Sequence, residues 1–100
     1  MEKSTAHYRL DDVRRLIDEG MARATKSAFE TAREVQIFCL DDMLKIVCKL
    51  SSRDLHKSMT TFADHRVWQD VYHGQTDAGL AVYIKLTIAD GLLIVSFKEL

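Results

Sequence analysis

The run Gly79-Leu80-Ala81-Val82-Tyr83-Ile84-Lys85-Leu86-Thr87-Ile88-Ala89-Asp90-Gly91-Leu92-Leu93-Ile94-Val95-Ser96-Phe97-Lys98 decides the fold. It is rich in Val, Ile, Leu, Thr and aromatic residues that alternate with a period of two, and Asp90-Gly91 in its middle is the strongest short-range hairpin signal. Two strands, Gly79 to Ile88 and Leu92 to Lys98, follow. A two-residue turn would set Ala89 against Leu92, Ile88 against Leu93, Leu86 against Val95 and Ile84 against Phe97, an apolar face that helices must cover. The alternate pairs are Thr87 with Ile94, Lys85 with Ser96 and Tyr83 with Lys98, a more polar face whose far end opposes a phenol to an ammonium group.

Upstream, the same period predicts strands from Lys57 to Thr61 and from His65 to Tyr72, with no proline in any of the four. The turn-prone loop His73 to Ala78 joins the second of these to the hairpin. If Tyr72 faces Leu80, Gln69 falls opposite Tyr83, Trp68 enters the core opposite Ile84, and Asp70 points toward the covered side near a wet edge.

The first half reads differently. Leu10, Val13, Leu16 and Ile17 recur at helical spacing, with Asp11 and Asp12 near the start and Gly20 at the end. Ser27 and Glu30 fit a capping box for a second helix from about Ala28 to Val35. Met43, Ile46, Val47 and Leu50 mark a third, with Asp41 and Asp42 suited to its cap and first turn. Ser51 to Asp54 offers one more cap and a brief turn. Arg14 and Arg15 are either a solvated face or a phosphate contact. The fold class expected is therefore α+β, an antiparallel sheet of about four to six strands with N-terminal helices on one face, in one domain spanning 1–100.

With 47% hydrophobic and 29% charged residues the composition is that of a folded globular chain, and a net charge of -1 gives no global attraction to a polyanion. A cleavage site needs only a local positive pocket. Cys39 and Cys48 lack metal-ligand spacing and read as reduced, partly buried thiols, and no metal or other cofactor is expected. No leader-like segment or membrane-spanning run occurs, so the expected compartment is the cytoplasm and no membrane partner is expected.

RNA carries its own nucleophile, the 2′-hydroxyl. A metal-free ribonuclease therefore needs a base for that proton, cations for the charge on phosphorus and an acid for the leaving oxygen. Lys57, Gln69, Tyr83 and Lys98 could fill such roles, with Lys98 placed to lower the phenol's pKa. Tyr83 with Lys98 could equally be an ordinary cross-strand pair, and Gln69 a solvent-facing amide. His56, His65 and His73 lie in the same stretch without metal-site spacing, and one of them could be an acid/base.

The words Lys57-Ser58-Met59-Thr60-Thr61, Asp64-His65, Trp68-Gln69-Asp70-Val71-Tyr72, Val82-Tyr83-Ile84-Lys85 and Leu93-Ile94-Val95-Ser96-Phe97-Lys98-Glu99, with Met1-Glu2-Lys3, Thr5 and His7, closely resemble the motility quorum-sensing regulator (MqsR) family. The resemblance implies a RelE-like ribonuclease fold and a ribosome-independent, metal-independent mRNA interferase of a toxin/antitoxin pair. Such an enzyme cuts short GC-containing sequences and is neutralised by an MqsA-type antitoxin. It implies a catalytic set of Lys57, Gln69, Tyr83 and Lys98; His65, His73 and Lys85 are separate candidate RNA contacts. The segment Ile37-Phe38-Cys39-Leu40-Asp41-Asp42 departs from the family's Gly-Leu-Asp-Phe-Asp-Gly type, His56 stands where an aromatic commonly precedes the motif lysine, and His73 stands where an arginine commonly follows Val-Tyr. A non-catalytic RNA- or partner-binding module and a ribosome-dependent RelE-type toxin are the competing readings, and a homodimer is left open.

Overall fold

The computed structural model describes residues 1–100. The elements in chain order are β1 (Glu2–Lys3), α1 (Leu10–Asp18), β2 (Ala22–Ala24), α2 (Lys26–Ala32), α3 (Leu40–Cys48), β3 (Leu55–Thr60), β4 (Trp68–Gln75), β5 (Ala81–Ile88) and β6 (Leu92–Glu99), with short 3-10 turns at Arg33–Val35 and Ser52–Asp54. The sheet has six strands in the order β1-β3-β4-β5-β6-β2. All neighbours are antiparallel except β2, which runs parallel to β6. This is the α+β fold expected from the sequence, with a mixed rather than purely antiparallel sheet. β1 and β2, two and three residues long, are too short to show any periodicity in the sequence.

The helices cover one face. Their apolar stripes (Val13 and Leu16; Ala28 and Ala32; Met43, Ile46 and Val47) meet Tyr72, Val82, Ile84, Leu86, Leu92, Ile94 and Phe97 in one cluster of 16 buried residues. Gly20 ends α1 with φ +72, a conformation that favours glycine. Thr25, not the Ser27/Glu30 box, caps α2: its hydroxyl accepts from Ala28 N–H at 3.1 Å and donates to the Val95 carbonyl at 2.9 Å. Lys26 and Ser27 are thereby already helical. Asp41 and Asp42 lie in the first turn of α3, whose cap position is Cys39. The cap and brief turn expected at Ser51 to Asp54 are present, the cap as a capping box between Ser51 and Asp54. Arg14 is structural, donating to the Cys48 and Leu50 carbonyls at 3.2 and 2.6 Å and so tying α1 to the end of α3. Cys39 is exposed rather than partly buried, and Cys48 is half-buried.

The hairpin register differs from the two-residue turn near its tip. Ile88 pairs with Leu92, enclosing three residues, and Leu86 pairs with Ile94, so Ile94 is a core residue. β2 runs alongside at this point, and Leu92 N–H donates to the Met21 carbonyl at 2.9 Å. A β-bulge at Val95 then restores the expected pairing at Lys85 with Ser96, Ile84 with Phe97 and Tyr83 with Lys98.

β4 is also shifted. The strand begins at Trp68, leaving His65 on an exposed loop, and continues to Gln75. Tyr72 pairs with Ile84 and His73, not Gln69, stands opposite Tyr83. Trp68 is therefore not opposite Ile84; it is half-buried, with the His7 ring stacked 5.3 Å away and the Lys3 ammonium 4.2 Å above it. Asp70 sits at no wet edge: it is 1% exposed. Its carboxylate accepts from His7 N–H (3.0 Å), Tyr8 N–H (2.9 Å) and the Ser58 hydroxyl (2.5 Å), an anchor that docks the N-terminal segment onto the sheet.

Candidate active site

The face of the sheet without helices carries Lys57 from β3, Val71 and His73 from β4, Tyr83 and Lys85 from β5, and Ser96 and Lys98 from β6. Lys57, Val71, Lys85 and Ser96 form one cross-strand row, and His73, Tyr83 and Lys98 the next. Val71 is fully buried yet lies outside the main core, because long lysine stems flank it and can cover apolar surface while their heads stay wet.

Two bulges build this arrangement. Strict alternation would send Lys98 to the same side as Leu92 and Ile94; the extra residue at Val95 reverses the parity, turning Phe97 inward and Lys98 outward. On β3 the register shifts between Leu55, opposite Tyr72, and Lys57, opposite Val71, leaving His56 as the bulged residue. Its ring stacks on His73 with centroids 4.4 Å apart and planes 18° apart.

The Lys98 ammonium lies 4.9 Å from the Tyr83 ring centroid and that of Lys85 5.9 Å, while the His73 centroid is 6.4 Å away. Lys98 therefore sits over the ring. The cation that opposes ionisation cost at the phenol is Lys57, but burial dominates and pushes the Tyr83 hydroxyl up, keeping it protonated. Lys57 is pushed up by its hydrogen bond and ion pair with Glu2, 2.8 Å away, and remains a cation. Lys85 is pushed down by burial and by repulsion from Lys98 and Lys57. Neither Lys85 nor Lys98 has an acidic partner within salt-bridge distance. A local positive field thus exists on a chain of net charge -1. A cavity of 640 Å³ lies elsewhere, between the N-terminal segment, α1 and Ser51–Ser52, and holds none of these groups. The lysine face is open, which suits a polymer better than a small enclosed ligand.

A family model described as "Motility quorum-sensing regulator, toxin of MqsA" matches residues 5–99. The chain belongs to this family. A curated relative from Escherichia coli (strain K12), named "mRNA interferase toxin MqsR", is 46% identical over 99 residues, covering 99% of each chain.

Of the candidate site residues, the structure brings Lys57, Tyr83, Lys98, Lys85 and His73 together. Gln69 shares their alternation on β4 but pairs with Met59 and stands four residues from His73, about 13 Å along the strand. His65 is further still, beyond the start of β4. Sequence reasoning missed Glu2, because only β1 pairing with β3 reveals that it reaches Lys57. His56 was visible as one histidine among several and as the replacement of a family aromatic; a bulge has no sequence signal strong enough to aim it. No three His, Cys, Asp or Glu side chains converge as a metal-ligand set, and no helix is long and apolar enough to cross a membrane.

Proposed function

We propose that the lysine face cuts single-stranded RNA through the substrate's own 2′-hydroxyl, independently of metal ions and of the ribosome. The chain is a toxin endoribonuclease by its family, and the observation that supports this location is a protonated phenol set among three lysines on a face that no helix covers. Lys57 and Lys98 bind the scissile phosphate and neutralise the charge that grows on it, Lys85 adds to the same field, and Tyr83 gives its proton to the leaving 5′-oxygen. The 2′-oxygen to phosphorus bond forms as the phosphorus to 5′-oxygen bond breaks, leaving a cyclic phosphate and a free 5′-hydroxyl. Gln69, too far along β4 to touch the same phosphate, reads or orients a neighbouring nucleotide in a short GC-containing site; His73 and His65 contact the strand on either side. A type II system in the cytoplasm, with an MqsA-type antitoxin as protein partner, completes the reading.

Incubating the purified chain with naked RNA in excess chelator tests it. Cleavage is expected. Binding without cleavage would replace the enzyme by a docking module, and cutting only when ribosomes are added would make it a ribosome-dependent toxin.

A further inference from the structure

The 2′-hydroxyl proton needs an acceptor, and the groups assigned above are poor ones. Tyr83 and Lys57 both hold their protons more tightly than usual. Lys85 is pushed down, but from an ordinary value of 10.5, and a lysine needs several powers of ten of lowering to act as a base at neutral pH. An imidazole needs none, since its ordinary range already spans neutrality.

His73 stands directly across the ladder from Tyr83, and its half-buried ring is backed by His56. The β3 bulge exists at the one position where it takes His56 out of strict alternation and lays it on His73. In an in-line displacement the attacking and leaving oxygens lie on opposite sides of phosphorus, so base and acid flank it rather than touch. With ring centroids 6.4 Å apart, His73 and Tyr83 are close enough for one phosphate resting on the open face, across the outer ends of both rings, to meet the two groups. The charged and titratable groups around the pair are Glu2 of β1, Lys57 of β3, Tyr83 and Lys85 of β5 and Lys98 of β6. Asp54, Lys49 and Asp77 border the 520 Å³ cleft on which His73 also opens.

We propose that His73, held in plane by the stacked ring of His56, is the general base of the reaction, an inference that rests on the lysine face being the ribonuclease site. Its free ring nitrogen takes the 2′-hydroxyl proton as the 2′-oxygen bonds to phosphorus; Tyr83 supplies the proton that leaves with the 5′-oxygen. The resulting imidazolium and phenolate return to their starting states through solvent. His56 is a positioning residue.

The test is the pH dependence of single-turnover cleavage of a defined oligonucleotide in chelator. Wild type should gain rate as pH rises through the imidazole range. His73→Gln should lose about 10²-fold or more together with that limb, a loss far larger than any weakening of its binding to an oligonucleotide with 2′-deoxyribose at the scissile position. His73→Ala should be partly rescued by added imidazole, and His56→Ala should slow cleavage without weakening binding. A wild-type profile with no rising limb overturns the proposal without recourse to any variant. So does His73→Gln cutting at the wild-type rate, or slowing equally at every pH with no imidazole rescue of His73→Ala; in both cases the ribonuclease reading stands. A wild-type chain that does not cut overturns both.

Discussion

A phenol beside three lysines would be expected to ionise easily, yet at Tyr83 burial outweighs the one cation that opposes it. The sequence suggests that Lys98 lowers this pKa; the geometry puts that ammonium over the ring, where it meets π-density rather than the hydroxyl. The consequence is chemical. A phenol held protonated is an acid, so Tyr83→Phe should fold as wild type and cleave about 10²- to 10⁴-fold more slowly, checked by oligonucleotide cleavage beside thermal melting. Lys57 is similarly fixed in role by Glu2, whose carboxylate engages one of its three donors and leaves the others for phosphate. Asp70 illustrates a residue whose conspicuous burial is structural. Asp70→Ala strips two backbone donors and a hydroxyl of their acceptor, and should cost about 3 kcal/mol in urea denaturation.

Among the elements, what was legible followed from how tightly a local signal constrained geometry. Asp90-Gly91 correctly announced the β5–β6 hairpin and its far-end pair of Tyr83 with Lys98, although the route there was a longer tip compensated by a bulge at Val95. The β4 register was not legible, because the residues between Tyr72 and Leu80 leave pairing unspecified and β4 in fact runs through three of them to Gln75. β1 and β2 were invisible for want of length. Their arrival nevertheless fixes details: Gly91, at φ +92, has no room for a side chain, since a Cβ there would lie 2.7 Å from the Met21 carbonyl oxygen. Gly91→Ala should therefore lower stability by about 1–3 kcal/mol, measured as the denaturation midpoint. The cap of α2 was placed two residues late by choosing Ser27 over Thr25. Thr25→Ala should cost about 1 kcal/mol, whereas Ser27→Ala, which leaves that cap intact, should change stability by less than about 0.5 kcal/mol.

At the scale of the whole molecule, the helices and the chemistry occupy opposite faces of one sheet, so a chain of net charge -1 can gather its unpaired lysines where nothing covers them. Two phosphates neutralised on a single strand, the scissile one by Lys57 with Lys98 and a neighbouring one by Lys85, predict that log affinity falls with log salt at a slope of about -1.4, and Lys85→Gln should reduce that slope by about 0.7. The helix-covered face makes its own pH prediction. Burial pushes the Tyr72 hydroxyl up to about 12 from 10.0, so folding favours the neutral phenol. That contribution is complete below pH 10 and is lost as pH rises through about 12. Tyr72→Phe should flatten the alkaline fall in stability. The central chemistry is most directly exposed by end-group mapping of one RNA cut in chelator, compared with the same RNA carrying 2′-deoxyribose at the scissile nucleotide. A 2′,3′-cyclic phosphate and a 5′-hydroxyl from the first, with the second left intact, is the expected result; cleavage of the deoxy-substituted strand, or cutting that appears only when a divalent metal is restored, would contradict it.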